Sequence, residues 1–551
     1  MKELVRNSLL SAVLVGCCLP LAGAPPDDAP IRFHEVAASA GLDFTLDNHA
    51  SENKHYIETM PGGVAVFDYN GDGLTDIYFT NGAEIPWLRK SDPKYSNRLF
   101  RNEGSMKFRD VTREAGVAAE GYSIGAAAAD YDNDGDPDLF VAGVNRNILY
   151  RNRGDGQFED VTVPAGIQSG RWAVAGGWLD YDNDGRLDLF VVNYVQWSAE
   201  QERFCGDPGR ALRVYCHPKY YSELANTLYR NRGDGTFEDV SAKSGIAKVA
   251  GKGMAVAIAD YNLDGFQDVF VTNDYVSNYL FRNRGDGTFE ETGLLAGVGL
   301  RDNGQYISDM GADFRDYDND GLPDIVVVAL AGQTFPLFRN LGRGAFRDAT
   351  QASGLGRLSL KQSGWSPLLA DFNNDGWKDL FVSSSHVNDR IEMFETNRYR
   401  LHNAMFLNAG DGTFRDVSTV AGLHSVPERA HRGAAIADFN NDGRLDVVVT
   451  ALGDRAELWE NVSPEENRWL RLRLVGTRSN RDGIGARVRI GNQHNHMTTS
   501  YGYSSSSLQG VHFGLGKQNR VEHIEITWPS GARQALENVA ANQVVNVREP
   551  E

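Results

Sequence analysis

The sequence has little cysteine and little basic charge. Only 4 of its 551 residues are cysteine, and two of these lie in the first 24 residues, so a dense disulfide framework is excluded. Lysine and arginine (55) are outnumbered by aspartate and glutamate (74), which gives a formal net charge of −19. Nucleic-acid binding needs a basic surface, and the sequence therefore predicts no nucleic-acid partner. The remaining cysteines, Cys205 and Cys216, share one segment and predict a disulfide, with two free thiols as the alternative.

A long apolar run occurs only at the N-terminus. Residues 9–21 follow two basic residues and are too short for a comfortable membrane span, so residues 1–24 predict an export signal. Two processing routes stay open. One is cleavage after Ala24; the other is lipidation of Cys17, within a segment that resembles a bacterial lipobox, and would anchor the chain to a membrane. Either route predicts a secreted, periplasmic or cell-surface protein.

One aspartate-rich loop is abundant and occurs seven times. Residues 180–188 read Asp-Tyr-Asp-Asn-Asp-Gly-Arg-Leu-Asp, with acidic groups at positions one, three, five and nine and glycine at position six. Carboxylates this close repel one another unless a hard cation lies between them, and Ca²⁺ accepts six to eight oxygen ligands. We therefore predict up to seven calcium sites. Their ligands are Asp68, Asn70, Asp72 and Asp76; Asp130, Asp132, Asp134 and Asp138; Asp180, Asp182, Asp184 and Asp188; Asp260, Asn262, Asp264 and Asp268; Asp316, Asp318, Asp320 and Asp324; Asp371, Asn373, Asp375 and Asp379; and Asp438, Asn440, Asp442 and Asp446.

The aspartate loops lack the features of an EF-hand. An EF-hand has a glutamate at position twelve and a helix on each side. Position twelve here is Phe79, Val141 or Val191, inside apolar runs typical of β-strands. Ordinary turns rich in Asp and Gly are the alternative for any single copy. Seven copies favour metal sites between strands.

Two more elements repeat in step with the loop. One is a strand that ends in an Asp-Gly hairpin turn; the other begins with phenylalanine at Phe33 and recurs from Phe108 to Phe414. Four-stranded units that repeat along the chain in this way predict an all-β fold, a seven-bladed β-propeller over residues 31–462. The last unit lacks its final strand, so we predict that residues 31–37 complete the seventh blade and close the ring.

Three insertions lengthen the repeats locally, at residues 85–96, 194–225 and 387–403. Long loops on a rigid scaffold commonly bind a partner. The alternative is that they only cover one end of the propeller. The sequence leaves both interpretations open.

The repeats stop near Ser463. Residues 469–474 largely alternate apolar and basic, as in a half-buried strand, and further strand candidates are 486–490, 511–515, 524–528 and 544–547. Residues 465–551 therefore predict a small, separate β-domain of the sandwich type.

The motifs resemble known families. The aspartate loops, with Phe-Glu-Asp-Val-Thr at 158–162, resemble the FG-GAP or VCBS repeats of integrin α-subunit propellers. Residues 467–470, 476–486, 512–516 and 528–531 resemble the ASPIC/UnbV domain. The order of the two regions resembles the cartilage acidic protein family and its bacterial relatives. The resemblance implies a secreted or surface protein, used in interaction or adhesion, with the loop aspartates as calcium ligands.

No catalytic constellation emerges from the sequence. Ser123 lies in a Gly-x-Ser-x-Gly match, but this match opens a strand instead of joining a strand to a helix. His494 and His496 alternate and predict a polar surface pair, with contact to a metal as the alternative. Three Arg-Gly-Asp copies lie in the repeated hairpin turns, where Gly and Asp have a backbone role.

Two functions therefore stay open. The favoured one is a monomeric, non-catalytic calcium-binding propeller whose partner is an extracellular protein or glycan. The alternative is an extracellular enzyme acting on polysaccharide, for which Arg171, His386 and His431 are the candidate side chains.

Overall fold

The structure is a computed structural model that describes residues 29–210 and 212–551. The predicted export signal, with Cys17, lies outside the described residues. Among the residues described, every helix is too short or too polar to cross a membrane.

Seven sheets of four antiparallel strands make up residues 33–461. This confirms an all-β fold built from repeated four-stranded units. From first to fourth, the strands are Val64–Phe67, Asp76–Phe79, Arg98–Asn102 and Phe108–Asp110 in sheet one; Tyr122–Ala129, Asp138–Val144, Ile148–Asn152 and Phe158–Asp160 in sheet two; Ala173–Leu179, Asp188–Asn193, Thr227–Asn231 and Phe237–Asp239 in sheet three; Gly253–Ala259, Asp268–Asn273, Tyr279–Asn283 and Phe289–Glu291 in sheet four; Ala312–Arg315, Asp324–Val327, Leu337–Asn340 and Phe346–Asp348 in sheet five; Gly364–Ala370, Asp379–Ser384, Ala404–Asn408 and Phe414–Asp416 in sheet six; and His431–Ala437, Asp446–Ala451, Glu457–Asn461 and Phe33–Glu35 in sheet seven.

The first and last parts of this region share sheet seven. Phe33–Glu35 pairs antiparallel with Glu457–Asn461 and is the fourth strand of that sheet. The first strand of each sheet contacts the first strand of the next, and the first strand of sheet seven contacts that of sheet one. The seven sheets therefore form a closed ring around a central axis.

A belt of buried asparagines joins neighbouring sheets. The third strand of each sheet ends in Asn, whose Nδ2 donates to a loop carbonyl of the preceding sheet, as Asn231 does to Tyr131 at 2.8 Å. Asn102 of sheet one makes the same bond to Phe439 of sheet seven, also at 2.8 Å. Because buried carbonyls need a hydrogen-bond donor, each asparagine holds its sheet against its neighbour. The belt consists of Asn102, Asn152, Asn231, Asn283, Asn340, Asn408 and Asn461.

Within residues 29–210 and 212–551, helical structure is limited to single turns in the connections between strands. The short α-helices are Ala37–Ala40, Thr112–Ala115, Ser241–Ser244, Gly293–Ala296 and Leu355–Leu358. The 3₁₀ turns are Tyr56–Thr59, Pro93–Tyr95, Ala199–Gln201, Pro208–Arg210, Pro218–Tyr220, Ile246–Lys248, Ile391–Met393 and Leu423–Ser425.

The C-terminal unit is built from two sheets, in agreement with a sandwich-like domain. One face of each sheet packs into a shared apolar core that includes Leu470, Val488 and Ile524. The strands are Val511–Gly516, Arg468–Val475 and Gln543–Arg548 in one sheet, and Gln493–His496, Arg487–Ile490, Arg520–Thr527 and Arg533–Ala540 in the other.

The C-terminal unit is not separate from the ring, contrary to the prediction. Its strands Ser500–Tyr501 and Ser505–Ser507 form a hairpin, and Ser505–Ser507 pairs in parallel with Val64–Phe67 of sheet one. Between them, the two strands contact the first strands of all seven sheets. The hairpin therefore runs along the axis of the ring and fills it. We call residues 498–507 the axial hairpin.

Small residues make room for the axial hairpin. A Cβ atom added to Gly63 would lie 2.3 Å from the carbonyl oxygen of Ser504, and one added to Gly433 would lie 2.7 Å from Ser505 Oγ. At the far end, the Tyr503 hydroxyl donates to the carbonyl of Met60 at 2.8 Å. In the sequence, the axial hairpin is marked only by a run of four serines at 504–507. A polar run usually lies on the surface, but all four serines are buried here.

The second and third insertions meet over one end of the axis instead of staying local, together with the segment before sheet one. Lys54 Nζ, from the segment before sheet one, lies 2.7 Å from Asp389 Oδ2 in the third insertion. Arg390 donates to the carbonyl of Arg213 in the second insertion at 3.1 Å. Covering an end of the ring is therefore one role that these insertions have. The predicted disulfide, Cys205–Cys216, is confirmed and lies in the second insertion.

Candidate metal centre

All seven aspartate loops lie at one end of the ring. Each loop connects the first strand of a sheet to the second, and in an antiparallel sheet such connections share one edge. The C-terminal unit covers this end, since the axial hairpin enters the ring from that side and C-terminal residues contact several loops. We number the loops one to seven after their sheets.

One hydrogen-bond network shapes each loop. In loop three, Asp180 Oδ1 and Oδ2 accept from the backbone N–H groups of Asp184 (3.0 Å) and Gly185 (2.9 Å). Asp188 accepts from Tyr181 N at 3.2 Å and from Asn231 N, the belt asparagine, at 2.8 Å. The equivalent bonds recur in all seven loops. The network holds the carboxylates of positions one and nine in fixed places.

The fixed carboxylates are costly to ionise without a cation. Burial raises the pKa of Asp76, at position nine, to about 8, and burial with the nearby Asp482 raises the pKa of Asp130, at position one, to about 8. Burial also raises the pKa of Asp180 to about 7. The pKa values of the other position-nine carboxyls lie well above their usual range for the same reason. A divalent cation would remove this cost, and the oxygen-only donor set fits calcium.

The loops fall into two classes at position three. Where position three is Asp, three carboxylates offer oxygens within 4.8 Å of one another. These clusters are Asp130, Asp132 and Asp138; Asp180, Asp182 and Asp188; and Asp316, Asp318 and Asp320. In the other four loops an Asn replaces one carboxylate, so fewer acidic groups converge.

The four Asn loops are closed by their own amide. Asn262 Nδ2 donates to Asp264 Oδ2 at 2.9 Å, and the same bond occurs in loops one, six and seven. An ion bound there needs the amide oxygen, because the NH₂ group cannot be a ligand. These loops therefore have to rearrange locally before position three can contribute to a site.

Basic side chains approach some loops and offset part of their charge. Arg471 Nη1 of the C-terminal unit lies 3.6 Å from Asp438 Oδ2, and both side chains are 1% exposed. Arg230 Nε donates to Asp182 Oδ2 at 2.8 Å. Asp438, with Arg471 beside it, has a pKa raised by burial to about 6.

The remaining predicted residues do not converge on a catalytic site. Ser123 is buried in the first strand of sheet two, where its Oγ accepts from Asn97. Arg171 contacts Thr227 in sheet three at 3.1 Å, whereas His431 faces Glu457 in sheet seven at 3.1 Å. His386 is buried beyond sheet six.

The prediction of a polar surface pair at His494 and His496 is wrong for one member. His496 is buried, and its Nε2 lies 3.2 Å from the carbonyl oxygen of Ile258 in sheet four. Burial and nearby cations lower its pKa well below the usual value, so it is neutral. It fastens the C-terminal unit to the ring, a contact that strand alternation alone cannot indicate.

Family comparisons identify both regions. The model of the FG-GAP-like repeat matches residues 68–141, 130–191, 214–271, 260–327, 316–382 and 390–449, which together are more than half of the chain. The chain belongs to the FG-GAP-like repeat family. The ASPIC and UnbV model matches residues 476–551, which are most of the C-terminal unit and include the axial hairpin.

Two named relatives are similar to part of the chain. Cartilage acidic protein 1 of Homo sapiens is 27% identical over 329 residues, which are 58% of this chain and 47% of the relative. Integrin alpha-3 of Mus musculus is 37% identical over 86 residues, 15% of this chain and 8% of the relative. The chain thus spans about half the length, or less, of these relatives. A solved structure of YCF48 bound to D1 peptide is 9% identical, with a TM-score of 0.42, and covers 80% of this chain and 98% of that one.

Proposed function

We propose that this FG-GAP-like repeat protein is an exported, monomeric, calcium-stabilised β-propeller that binds an extracellular protein or glycan and catalyses no reaction. The observation that carries the metal part is the repeated placement of buried carboxylates at positions one and nine. In seven loops these groups are held by backbone donors. Five position-one carboxylates also have a basic side chain nearby, but within the described residues burial still raises the pKa of all seven position-nine carboxyls. Up to seven Ca²⁺ ions would neutralise these groups.

A separate observation supports binding at the other end of the ring. Every aromatic side chain that the described chain leaves largely exposed lies in connections at the end opposite the aspartate loops. Aromatic side chains are enriched in binding surfaces, whereas the loop end is covered by the C-terminal unit. These residues are Trp87, Phe204, Tyr220, Tyr275, Tyr306 and Phe394.

An enzymatic role receives no comparable support. The acidic loops would be occupied by ions, and the histidines His386 and His431 are buried against the chain's own groups. Attachment to a membrane through Cys17 stays a proposal that depends on processing of the export signal.

Counting bound calcium tests the proposal. We expect metal analysis of the purified mature protein to find several ions per chain, at most seven, and Asp188→Asn to lower that number by one. Asp234→Asn is the matched control, because Asp234 lies in an exposed hairpin turn and bonds only to Thr236 of the same turn. A chain without calcium, or equal calcium in both variants, would show that the loops are ordinary turns.

A further inference from the structure

Hydrogen bonds from position four join five of the seven pairs of neighbouring loops into an interrupted ring. Five loops have Asn at this position, with φ between +54° and +61°. Its Nδ2 donates to the position-six carbonyl of the next loop, as Asn183 does to Gly265 at 3.0 Å. Asn tolerates this left-handed backbone better than most residues, and its amide can donate to the next loop, so two properties of Asn suit the position. The five are Asn133, Asn183, Asn319, Asn374 and Asn441.

The ring of loops is open at two junctions. Loop one has Gly71 and loop four has Leu263 at position four, and neither can donate to the next loop. A cleft of about 260 Å³ lies at each of these junctions, between the loops and the C-terminal unit. Each of the two departures from the repeat therefore coincides with a cleft.

Leu263 is the more unusual of the two departures. It keeps the left-handed backbone, at φ +60°, without the hydrogen bond that compensates for it in its five counterparts. It is also 42% exposed at the mouth of the cleft. Leucine at such a position is strained, and retained strain is typical of functional sites. The apolar side chain in a polar ring points to contact with something other than water.

The wall opposite Leu263 is a basic face of the C-terminal sheet. Arg487 and Arg489 lie on one strand, paired with His496 and His494 on the next. The His494 ring lies against Gly321 of loop five, where an added Cβ would be 3.3 Å from the ring. The cleft thus presents two guanidinium groups and one imidazole from a rigid sheet.

The two arginines have donors to spare. Arg487 lies 3.4 Å from Asp260 Oδ2, and Arg489 Nη1 lies 3.4 Å from Glu525 Oε2. Both distances exceed those of a strong charge-assisted hydrogen bond, and each guanidinium carries five N–H donors. The Arg489 pair is half-exposed, so an incoming anion would compete with a weak contact.

We propose that the cleft between loops four and five binds a small ligand that carries an anionic group on a partly apolar body. The carboxylate, sulfate or phosphate group lies between Arg487, Arg489 and His494, and Leu263 contacts the body. The volume suits one sugar ring or a molecule of similar size, because it is below the range of drug-sized pockets. The cleft borders two metal loops, since Asp316 of loop five lines it and Arg487 lies beside Asp260 of loop four, but Arg487, Arg489, His494 and Leu263 are not themselves metal ligands. It lies at the end of the ring opposite the exposed aromatic residues.

Titration calorimetry on the full mature protein in calcium tests the site, with sulfate, galacturonate and galactose as probes. We expect the two anions to bind at one site and galactose, which lacks the charge, not to bind. Binding of sulfate alone would identify a free-anion site, and tighter binding of galacturonate would identify an acid with a ring. The proposal is overturned if neither anion binds, or if galactose binds as tightly as galacturonate.

A pair of reciprocal variants tests the position. Leu263→Asn should restore the loop-to-loop hydrogen bond, raise the melting temperature and weaken galacturonate binding at least tenfold, because it removes the contact with the body of the ligand. The matched control, Asn183→Leu, makes the opposite change at a closed junction and should lower the melting temperature without changing anion affinity. Equal galacturonate affinity in all three proteins would refute the site.

Side-chain variants in the wall test the chemistry. Arg489→Gln should weaken anion binding at least tenfold, whereas Glu525→Gln removes a competing carboxylate and should tighten it. Tightening is an outcome that a misfolded variant cannot imitate. Calcium counting on the same samples reports separately on the metal sites. If the chain binds no calcium but still binds the anions, the proposed metal sites are wrong and the proposed anion site stands.

Discussion

The two ends of the ring are built on different principles. At the loop end, one nine-residue pattern recurs seven times with the same backbone bonds to its carboxylates. At the other end, two unrelated insertions and the segment before sheet one meet once, through single contacts such as the hydrogen bond from Tyr215 to Glu58 at 2.9 Å. The loop end repeats the same buried carboxylates seven times, whereas the buried carboxylates of the insertion end, such as Asp274, occur singly and each has partners of its own.

This difference shows where the chain depends on something outside itself. At the insertion end, individual charges are held in different ways: Lys54 pairs with Asp389, and the Tyr194 hydroxyl donates to Asp274. The loop end holds carboxylates in place with N–H donors, which orient them but do not neutralise them. A repeated cost that the chain does not remove is the physical signature of a bound cation.

The largest expected effect separates the two ends directly. Removal of calcium should lower the melting temperature by at least about 10 °C, because several ions that bind only the folded state each add stability. Calorimetry with and without a chelator measures it. At the insertion end we expect a smaller effect. Lys54→Met removes only one ion pair and should lower the melting temperature by a few degrees. A chelator effect no larger than that of Lys54→Met would remove the distinction between the ends.

The pH dependence of stability should reverse with metal. In calcium-free protein the folded-state pKa of Asp76 is raised to about 8, above the unfolded value of about 4. The folded state then binds more protons in this window, so stability is present at its acidic side and is lost as the pH rises toward 8. In calcium-loaded protein the carboxylates are ionised, and acid should destabilise by displacing the ion. Melting curves of both forms between pH 5.5 and 8 measure the slopes, and slopes of the same sign would contradict the assignment.

Sequence reasoning reached the repeated parts because each has a local physical cause. Gly185 is needed for φ +83° and for the approach of Arg478, and alternate aspartates need a cation, so both are readable from nine residues. The belt residue Asn231 was also visible as a repeated letter, but its partner is in another sheet and no local rule indicates it. Serines 504–507 look like a surface segment because they are polar. Their burial depends on glycines such as Gly63, more than four hundred residues away, and no local pattern indicates it.

The axial hairpin links the two ends, and its fit can be tested with two glycines. Gly502 (φ +56°) and Gly491 (φ +59°) share a backbone conformation, but a Cβ on Gly502 would lie 1.9 Å from Ser366 Oγ while Gly491 faces open space. Gly502→Ala should therefore lower the free energy of unfolding by about 2–4 kcal/mol, and Gly491→Ala by about 1 kcal/mol. Denaturant unfolding gives both values. Equal losses would mean that the hairpin does not fill the axis tightly.

The smallest expected effect distinguishes the two classes of loop at the metal end. Asp182→Asn turns loop three into the Asn class: it removes one charge but keeps an oxygen ligand, and its new amide can donate to Asp184 as Asn262 does to Asp264. We expect the ion to be retained, with calcium affinity lower by about tenfold, or ~1.4 kcal/mol, because ligand charge tunes calcium affinity. The reciprocal variant, Asn262→Asp, should strengthen loop four by a similar factor. Calcium titration of both variants measures the change. Complete loss of the site in Asp182→Asn would contradict this expectation. It would imply that only the three all-Asp loops hold an ion and that the Asn loops are closed by their own amides.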